Sequence, residues 1–334
     1  TPLPGIITLP GCKGVPVGLK YKAMSIIVSG SLAYDRIMDF PEKFSDHILP
    51  DKLHVLNVSF TVNGMVEKLG GTAGNIAYAL SLLGEKPVIV ATIGQDYHKY
   101  FQSLADKNIS TDGIRIIEEE FTASAYITTD RADNQITGFN PGAMKYPSCF
   151  NFEGVNPEGS IVIVAPGNVE DMMNYSRICR SKGIDYIFDP GQSIPMYDAR
   201  NLADSIEGAR ILISNDYELE LIMDKTGLEK SVLLEKTGTI ITTLGEKGSR
   251  VCTPEGDIDI LPAGIRKVLD PTGAGDAYRA GLIKGLVEGK GMREAAMMGS
   301  VCAAFAVESY GTQEYFFGPQ EFRERLREYS ASSS

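Results

Sequence analysis

Short apolar runs recur at 25–29, 87–93, 161–165, 185–188, 211–213 and 239–243, with helical patterns between them near 73–83, 97–107, 169–182 and 215–226. Runs that stay apolar instead of alternating with polar residues mark strands buried on both faces. Such strands, separated by helices, predict an α/β fold: a central, mostly parallel sheet flanked by helices. Two longer helical patterns, 274–289 and 292–309, fill the last third. A chain of 334 residues makes one large α/β domain or two of ordinary size, and 43% hydrophobic residues suffice for a substantial core.

Charge and cysteine usage exclude several function classes. The net charge is −11 and no cluster of five Lys or Arg occurs, so a nucleic-acid partner is not expected. Cys12, Cys149, Cys179, Cys252 and Cys302 are widely spaced without C-x-x-C, which predicts reduced, structural thiols and a cytoplasmic setting. His47, His54 and His98 have no metal-ligand spacing. No apolar stretch reaches membrane-spanning length, so no membrane partner is expected. Residues 1–23 are Pro/Gly-rich and read as an added extension ahead of a natural start at Met24; the body is then 24–330, and 331–334 a flexible tail.

Residues 52–68 and 121–139 break the strand–helix rhythm. Both are rich in β-branched and aromatic residues with rough alternation, and Arg131–Asn134 is a turn within the second. Together they predict a small β-sheet projecting from the body as a lid, the alternative being an extra edge of the main sheet. Val58, Phe60 and Val62 alternate along the first stretch. An apolar face of that kind needs cover, and pairing of two lids in a homodimer would provide it.

Four segments carry candidate chemistry. DPTGAGDAYRAGLIKGL, 270–286, runs from glycines straight into a helix. Glycine permits backbone angles that turn N–H groups to one point, and the helix N-terminus adds donors and a positive dipole end. Asp276 there is either a helix cap or a base held beside an anion hole in the Gly273–Gly275 loop, whose donors would be the N–H groups of Ala274, Gly275 and Asp276. LGGTAGNIAYALSLLG, 69–84, is a second glycine-to-helix junction, in which Gly71 allows close approach and Asn75 lies in the first turn. Asn215 and Glu218 are one helical turn apart, as a helix cap or as outer partners of hydrated Mg²⁺. Thr243, Gly245 and Gly248 follow a β-branched strand, as a nucleotide-binding turn or a tight hairpin. No G-x-G-x-x-G or Walker sequence occurs, so nicotinamide and P-loop readings lack their main support.

The four segments occur in the order of one family. Gly70-Gly71-x-Ala73-Gly74-Asn75, Asn215-x-x-Glu218, the Thr243-Leu-Gly245 turn and DPTGAGDAY resemble the motifs of the ribokinase (PfkB) family over residues 24–325. GSLAYDRIMDFPEKFSDHILP, NPGAMKY, NDYE and GTQEY are similar to its bacterial adenosine kinase branch. The resemblance implies a ribokinase-like fold, ATP as co-substrate, and phosphoryl transfer to the 5′-hydroxyl of a nucleoside, adenosine first. A sugar or another nucleoside as acceptor, and a non-catalytic nucleoside sensor, are the alternatives. It further implies Asp276 as base and Asp35, Gly71 and Asn75 as ribose ligands, with Ser31 and Gln192 beside them. Tyr126 and Phe139 would sandwich the purine, Asn215 and Glu218 would position Mg²⁺ through water, and Asp270 and Thr272 would hold K⁺. Ser193 and Asn140 depart from the pattern of that branch.

Overall fold

The computed structural model describes residues 25–48 and 57–332. The added-extension reading of 1–23 lies outside them, as does part of the first lid stretch. The main sheet contains β1 (Ile26–Ser29), β4 (Val88–Gly94), β5 (Ile114–Ile117), β8 (Ile161–Val164), β9 (Asp185–Phe188), β10 (Ile211–Asn215), β11 (Ile240–Thr243), β12 (Ser249–Thr253) and β13 (Gly256–Ile260). Its order is β13-β12-β11-β10-β9-β8-β1-β4-β5. Pairing is parallel from β5 to β11, and β12 and β13 add an antiparallel hairpin at one edge.

A separate four-stranded sheet is ordered β3-β2-β6-β7, from β2 (Ala33–Asp39), β3 (Met65–Gly70), β6 (Ala123–Thr129) and β7 (Gln135–Asn140). The helices are α1 (Phe44–His47), α2 (Thr72–Leu82), α3 (His98–Asp106), α4 (Val169–Lys182), α5 (Ala199–Ile206), α6 (Asp216–Thr226), α7 (Lys230–Thr237), α8 (Ala274–Val287), α9 (Met292–Val307) and α10 (Pro319–Ser332). The last of these runs two residues into the expected tail.

Period-2 alternation sends successive strand residues into two cores. Ile26, Val28, Ile163, Ile187, Ile211 and Ile213 join the layer with α2, α8 and α9. Ile27, Val162, Val164, Phe188 and Leu212 join the layer with α4, α5, α6 and α7. Strands that feed both layers have no polar face, which is why the apolar runs predicted them. Among the described residues, no helix is long and apolar enough to cross a membrane.

Two expectations are corrected. Residues 57–64 form no strand, so the first lid stretch contributes only β3, while its partner is β2, upstream of the expected boundary. The alternation at Val58, Phe60 and Val62 survives as half-buried positions, and Phe60 packs on Phe40 and Phe44 of the same chain at ring distances of 4.8 and 5.1 Å. Cys179, Cys252 and Cys302 are free and buried, but Cys149 is disulfide-bonded, so reduced thiols do not describe every cysteine.

Helices α8 and α9 pack backbone to backbone. A Cβ on Gly281 would lie 2.7 Å from the Met298 carbonyl carbon and 2.8 Å from the Gly299 Cα, and backbone atoms give way poorly. Overpacking costs ~1–3 kcal/mol or more, against a helix-propensity gain of ~1 kcal/mol for alanine. Gly281→Ala should therefore lower the unfolding free energy by a net of up to ~2 kcal/mol, read as a lower urea midpoint at unchanged slope. An unchanged midpoint would show that the helices separate freely.

Candidate active site

In a sheet of this kind the crevice beyond the carboxyl ends of the strands is where ligands bind. Ser31 after β1, Pro166 and Gly167 after β8, Asp189 after β9, Asn215 ending β10 and Thr243 ending β11 all line one cavity of about 710 Å³. The small sheet adds Asp35 and Phe139 as one wall, and the N-termini of α2, α6 and α8 close the floor. A second cavity of about 350 Å³ shares Thr243, Gly245 and Gly275 with the first, and Ala263, Ile265, Val268, Ala304 and Val307 make it apolar.

Asp276 occupies the first turn of α8. Asn75 Nδ2 donates to its Oδ2 at 2.8 Å, and the Asn75 Oδ1 accepts from Gln313 Nε2 at 3.0 Å. Gln313 also donates to Tyr100 Oη at 3.0 Å, whose hydroxyl donates to the Gly70 carbonyl at 2.7 Å. This chain fixes the carboxylate from behind. Burial pushes the Asp276 carboxyl up to about 6; the charge of Arg279 and the Asn75 hydrogen bond oppose the rise, and Asp189 adds to it.

The glycine loop before α8 leads into the helix as expected, with one amendment to its donors. Gly273 caps the helix at φ +80°, which only glycine adopts cheaply, and a Cβ there would meet Thr312 Cγ2 at 2.9 Å. The Ala274 N–H donates to the Pro271 carbonyl at 3.2 Å, so Ala274 is withdrawn from the expected donors. Helix geometry leaves the N–H groups of Gly275 and Asp276 without intrahelical partners.

The expected acceptor ligands separate into three groups. Asp35, Gln192 and Phe139 line the cavity and make no side-chain hydrogen bond to the described residues. Burial raises the Asp35 carboxyl, helped by Asp270 and opposed by Lys68. Ser31, Gly71 and Asn75 also line it, but they are engaged. Ser31 Oγ accepts the Thr72 N–H at 3.0 Å and pins the start of α2, and Gly71 at φ +90° would carry a Cβ 2.7 Å from the Ala33 nitrogen.

Tyr126 is a correction. It pairs with Gly138 and Arg36, whereas Phe139 pairs with Ala125, which pairs with Asp35. Opposed residues share a face and neighbours alternate, so Tyr126 and Phe139 project to opposite sides of the small sheet. Arg36 Nη1 donates to Tyr126 Oη at 2.7 Å on the face turned from the cavity. A sandwich between the two rings is therefore excluded.

Asn215 and Glu218 form the helix cap. Asn215 Oδ1 accepts the Glu218 N–H at 2.7 Å, and Glu218 Oε2 accepts the Asn215 N–H at 2.8 Å. Both still line the cavity, and burial raises the Glu218 carboxyl, with Asp189 adding to the rise. Thr243 and Gly245 border both cavities, and Gly248 borders the second. Asp270 braces two loops: its Oδ1 accepts the Thr272 N–H at 2.9 Å and its Oδ2 the Gly311 N–H at 3.0 Å.

Three site residues were not assigned from the sequence. Arg279 lies one helical turn beyond Asp276 within the same motif, so its i+3 spacing was a usable signal. Asp189 directly follows a buried strand, a position that marks crevice residues in parallel sheets. Gln313 sits in a loop, and only the fold brings it to Asn75.

Comparisons with known proteins agree with this geometry. The sequence profile described as pfkB family carbohydrate kinase matches residues 33–316. The nucleoside kinase of Methanocaldococcus jannaschii is 34% identical over 263 residues, covering 77% of this chain and 85% of that protein. The ligand-free nucleoside kinase of Burkholderia thailandensis superposes with a TM-score of 0.82 at 37% identity, over 90% of this chain and all of the other. The same enzyme with ADP and inosine gives 0.79 at 36% identity, over 92% and 96%. The fold is thus ribokinase-like, with its small separate sheet.

An acid whose carboxyl titrates near 6 serves as a base only above that pH. A base-dependent rate should fall about tenfold per pH unit below 6 and level off above 7. Asn75→Ala removes a hydrogen bond to the charged form, so its pH–rate profile should move to higher pH. A profile that stays flat through pH 5 would exclude Asp276 as the titrating base.

Proposed function

The chain belongs to the pfkB family of carbohydrate kinases, and on that premise we propose that it transfers the γ-phosphoryl group of ATP to the 5′-hydroxyl of a purine nucleoside. The observation that carries the reading is the pair of adjoining cavities with Gly275 shared between them and Asp276, the next residue, lining the larger one. Asp35 and Phe139 face the larger one together from the small sheet, and the smaller one is apolar. A carboxylate accepts two neighbouring ribose hydroxyls, and one aromatic ring stacks on a base. The apolar cavity suits the adenine of ATP. Adenosine is the acceptor expected from the sequence; inosine stands beside it because the exposed Gln192 amide offers both a donor and an acceptor to the purine.

In this mechanism Asp276 takes the proton of the 5′-hydroxyl as its oxygen attacks the γ-phosphorus, and ADP departs. The N–H groups of Gly275 and Asp276 hold the phosphoryl oxygens. Asn75 and Gln313 orient the base. Mg²⁺ fits the donor set: among the described residues the Glu218 Oε1 makes no hydrogen bond and the buried Asp189 Oδ1 has no partner. Bound there through water and nucleotide phosphates, the ion would neutralise phosphate charge. Asp270 and Thr272 stay candidates for K⁺, though both Asp270 oxygens already accept backbone N–H groups. Homodimer formation through the small sheets is also proposed, on Met65 and Ile136, which are exposed on the face turned from the cavity.

ADP release from Mg-ATP should depend on adenosine or inosine, and Asp276→Asn should lower it ~10²–10⁴-fold. Phe139→Ala should raise the nucleoside KM by about tenfold, whereas Tyr126→Ala should leave it unchanged; ring stacking is worth ~1–3 kcal/mol per base. Turnover of ribose or fructose that ignores Phe139→Ala would replace the nucleoside by a sugar. Nucleoside binding with no turnover would favour a sensor. Runs with and without K⁺ read the cation requirement, and light scattering reads the dimer.

A further inference from the structure

We propose that the Arg279 guanidinium is the side-chain clamp for the transferring phosphoryl group, and that Asp189 holds it in place. This rests on the phosphotransfer reading. Four carboxylates line the main cavity, Asp35, Asp189, Glu218 and Asp276, and Arg279 is the one cation among its lining residues. A group that arrives with several negative charges needs positive charge at the reacting end, and among the described residues no lysine supplies it there.

The position of the guanidinium argues for more than neutralisation. Arg279 is 7% exposed, and its Nε donates to Asp189 Oδ2 in an ion pair between two buried side chains. That bond uses the Nε edge. The Nη1 and Nη2 groups make no hydrogen bond to the described residues, although the side chain lines the cavity. A buried arginine with its terminal donors unspent and turned to a crevice is arranged to receive an anion.

Gly275 places that anion. A Cβ on Gly275 would stand 2.8 Å from Arg279 Nη1, so the absence of a side chain is what lets the guanidinium lie against the loop. The N–H of the same residue is one of the two free donors at the start of α8. The guanidinium and the backbone donors therefore stand side by side at the start of α8, next to Asp276. The phosphorus–oxygen bond to the leaving ADP breaks there as the bond to the nucleoside oxygen forms, and the clamp takes no proton in that step.

The test is Arg279→Lys, which keeps the buried charge pair with Asp189 but loses the two-pronged donor geometry. The expected result is a kcat lowered ~10²-fold, as for loss of a preorganised donor, with nucleoside KM changed less than threefold. The pH midpoint should not move, because the charge beside Asp276 is retained. A second variant, Arg279→Gln with Asp189→Asn, removes both charges together. It should lose at least as much rate at every pH up to 9. Recovery of this double variant at high pH would mean that Arg279 only keeps Asp276 ionised, and would overturn the clamp. A lysine variant with near wild-type kcat would overturn it too. If the wild-type chain turns over no acceptor at all, the phosphotransfer reading falls and the clamp with it.

Discussion

Asn75 and Asp276 are 201 residues apart in the chain and 2.8 Å apart in the fold. The bond joins the first turn of α2 to the first turn of α8, and both helices start at glycines held at positive φ. Everything around the crevice depends on those two starts converging. Ser31 fixes one by capping Thr72, and Asp270 fixes the other by accepting Thr272 and Gly311. The parallel sheet makes this possible, because all of its parallel strands deliver their ends to one edge and leave the helix N-termini there.

That edge also sets the electrostatics. Four carboxylates around one cavity in a chain of net charge −11 would repel a nucleotide if they stood alone. The N-termini of α2, α6 and α8 all border the same space, and each brings the positive end of its dipole. The capping box at Asn215 and Glu218 spends part of this potential on the helix itself. The start of α8 has no side-chain cap, so its donors stay available. A helix end without a side-chain cap is costly for stability, and this one lies at the cavity floor.

Legibility in the sequence followed the range of the interaction. Buried parallel strands declare themselves through unbroken apolar runs, and the bounds of α4 and β9 were readable to the residue. Asp276 was readable because glycine, acid and helix are neighbours in one motif. Tyr126 and Phe139 were both placed on the lid, yet their faces depend on the register between β6 and β7, which no local pattern contains. Strand β2 was missed because its Asp35, Arg36 and Asp39 interrupt the apolar pattern. Asp35 serves the cavity and Arg36 serves the anchor to Asp96, at 3.1 Å. Function on both faces of a strand erases the alternation that would reveal it.

The anchor on the back of the small sheet bears on how its front works. Arg36 ties β2 to Glu67 and to Asp96, and Asp96 Oδ1 in turn accepts the N–H and hydroxyl of Thr122 at 2.8 and 2.6 Å. These bonds hold the base of the sheet to the end of β4, close to where β6 begins. Phe139, near the C-terminal end of β7, remains 55% exposed on the cavity side. An apolar ring held in that position gains most when a flat partner covers it, since burial of aromatic surface is worth ~25 cal/mol per Å² removed from water. The sheet thus presents a fixed carboxylate at Asp35 and an uncovered ring at Phe139 to the same volume. A pentose joined to a planar base satisfies both, while a lone sugar leaves the ring in water.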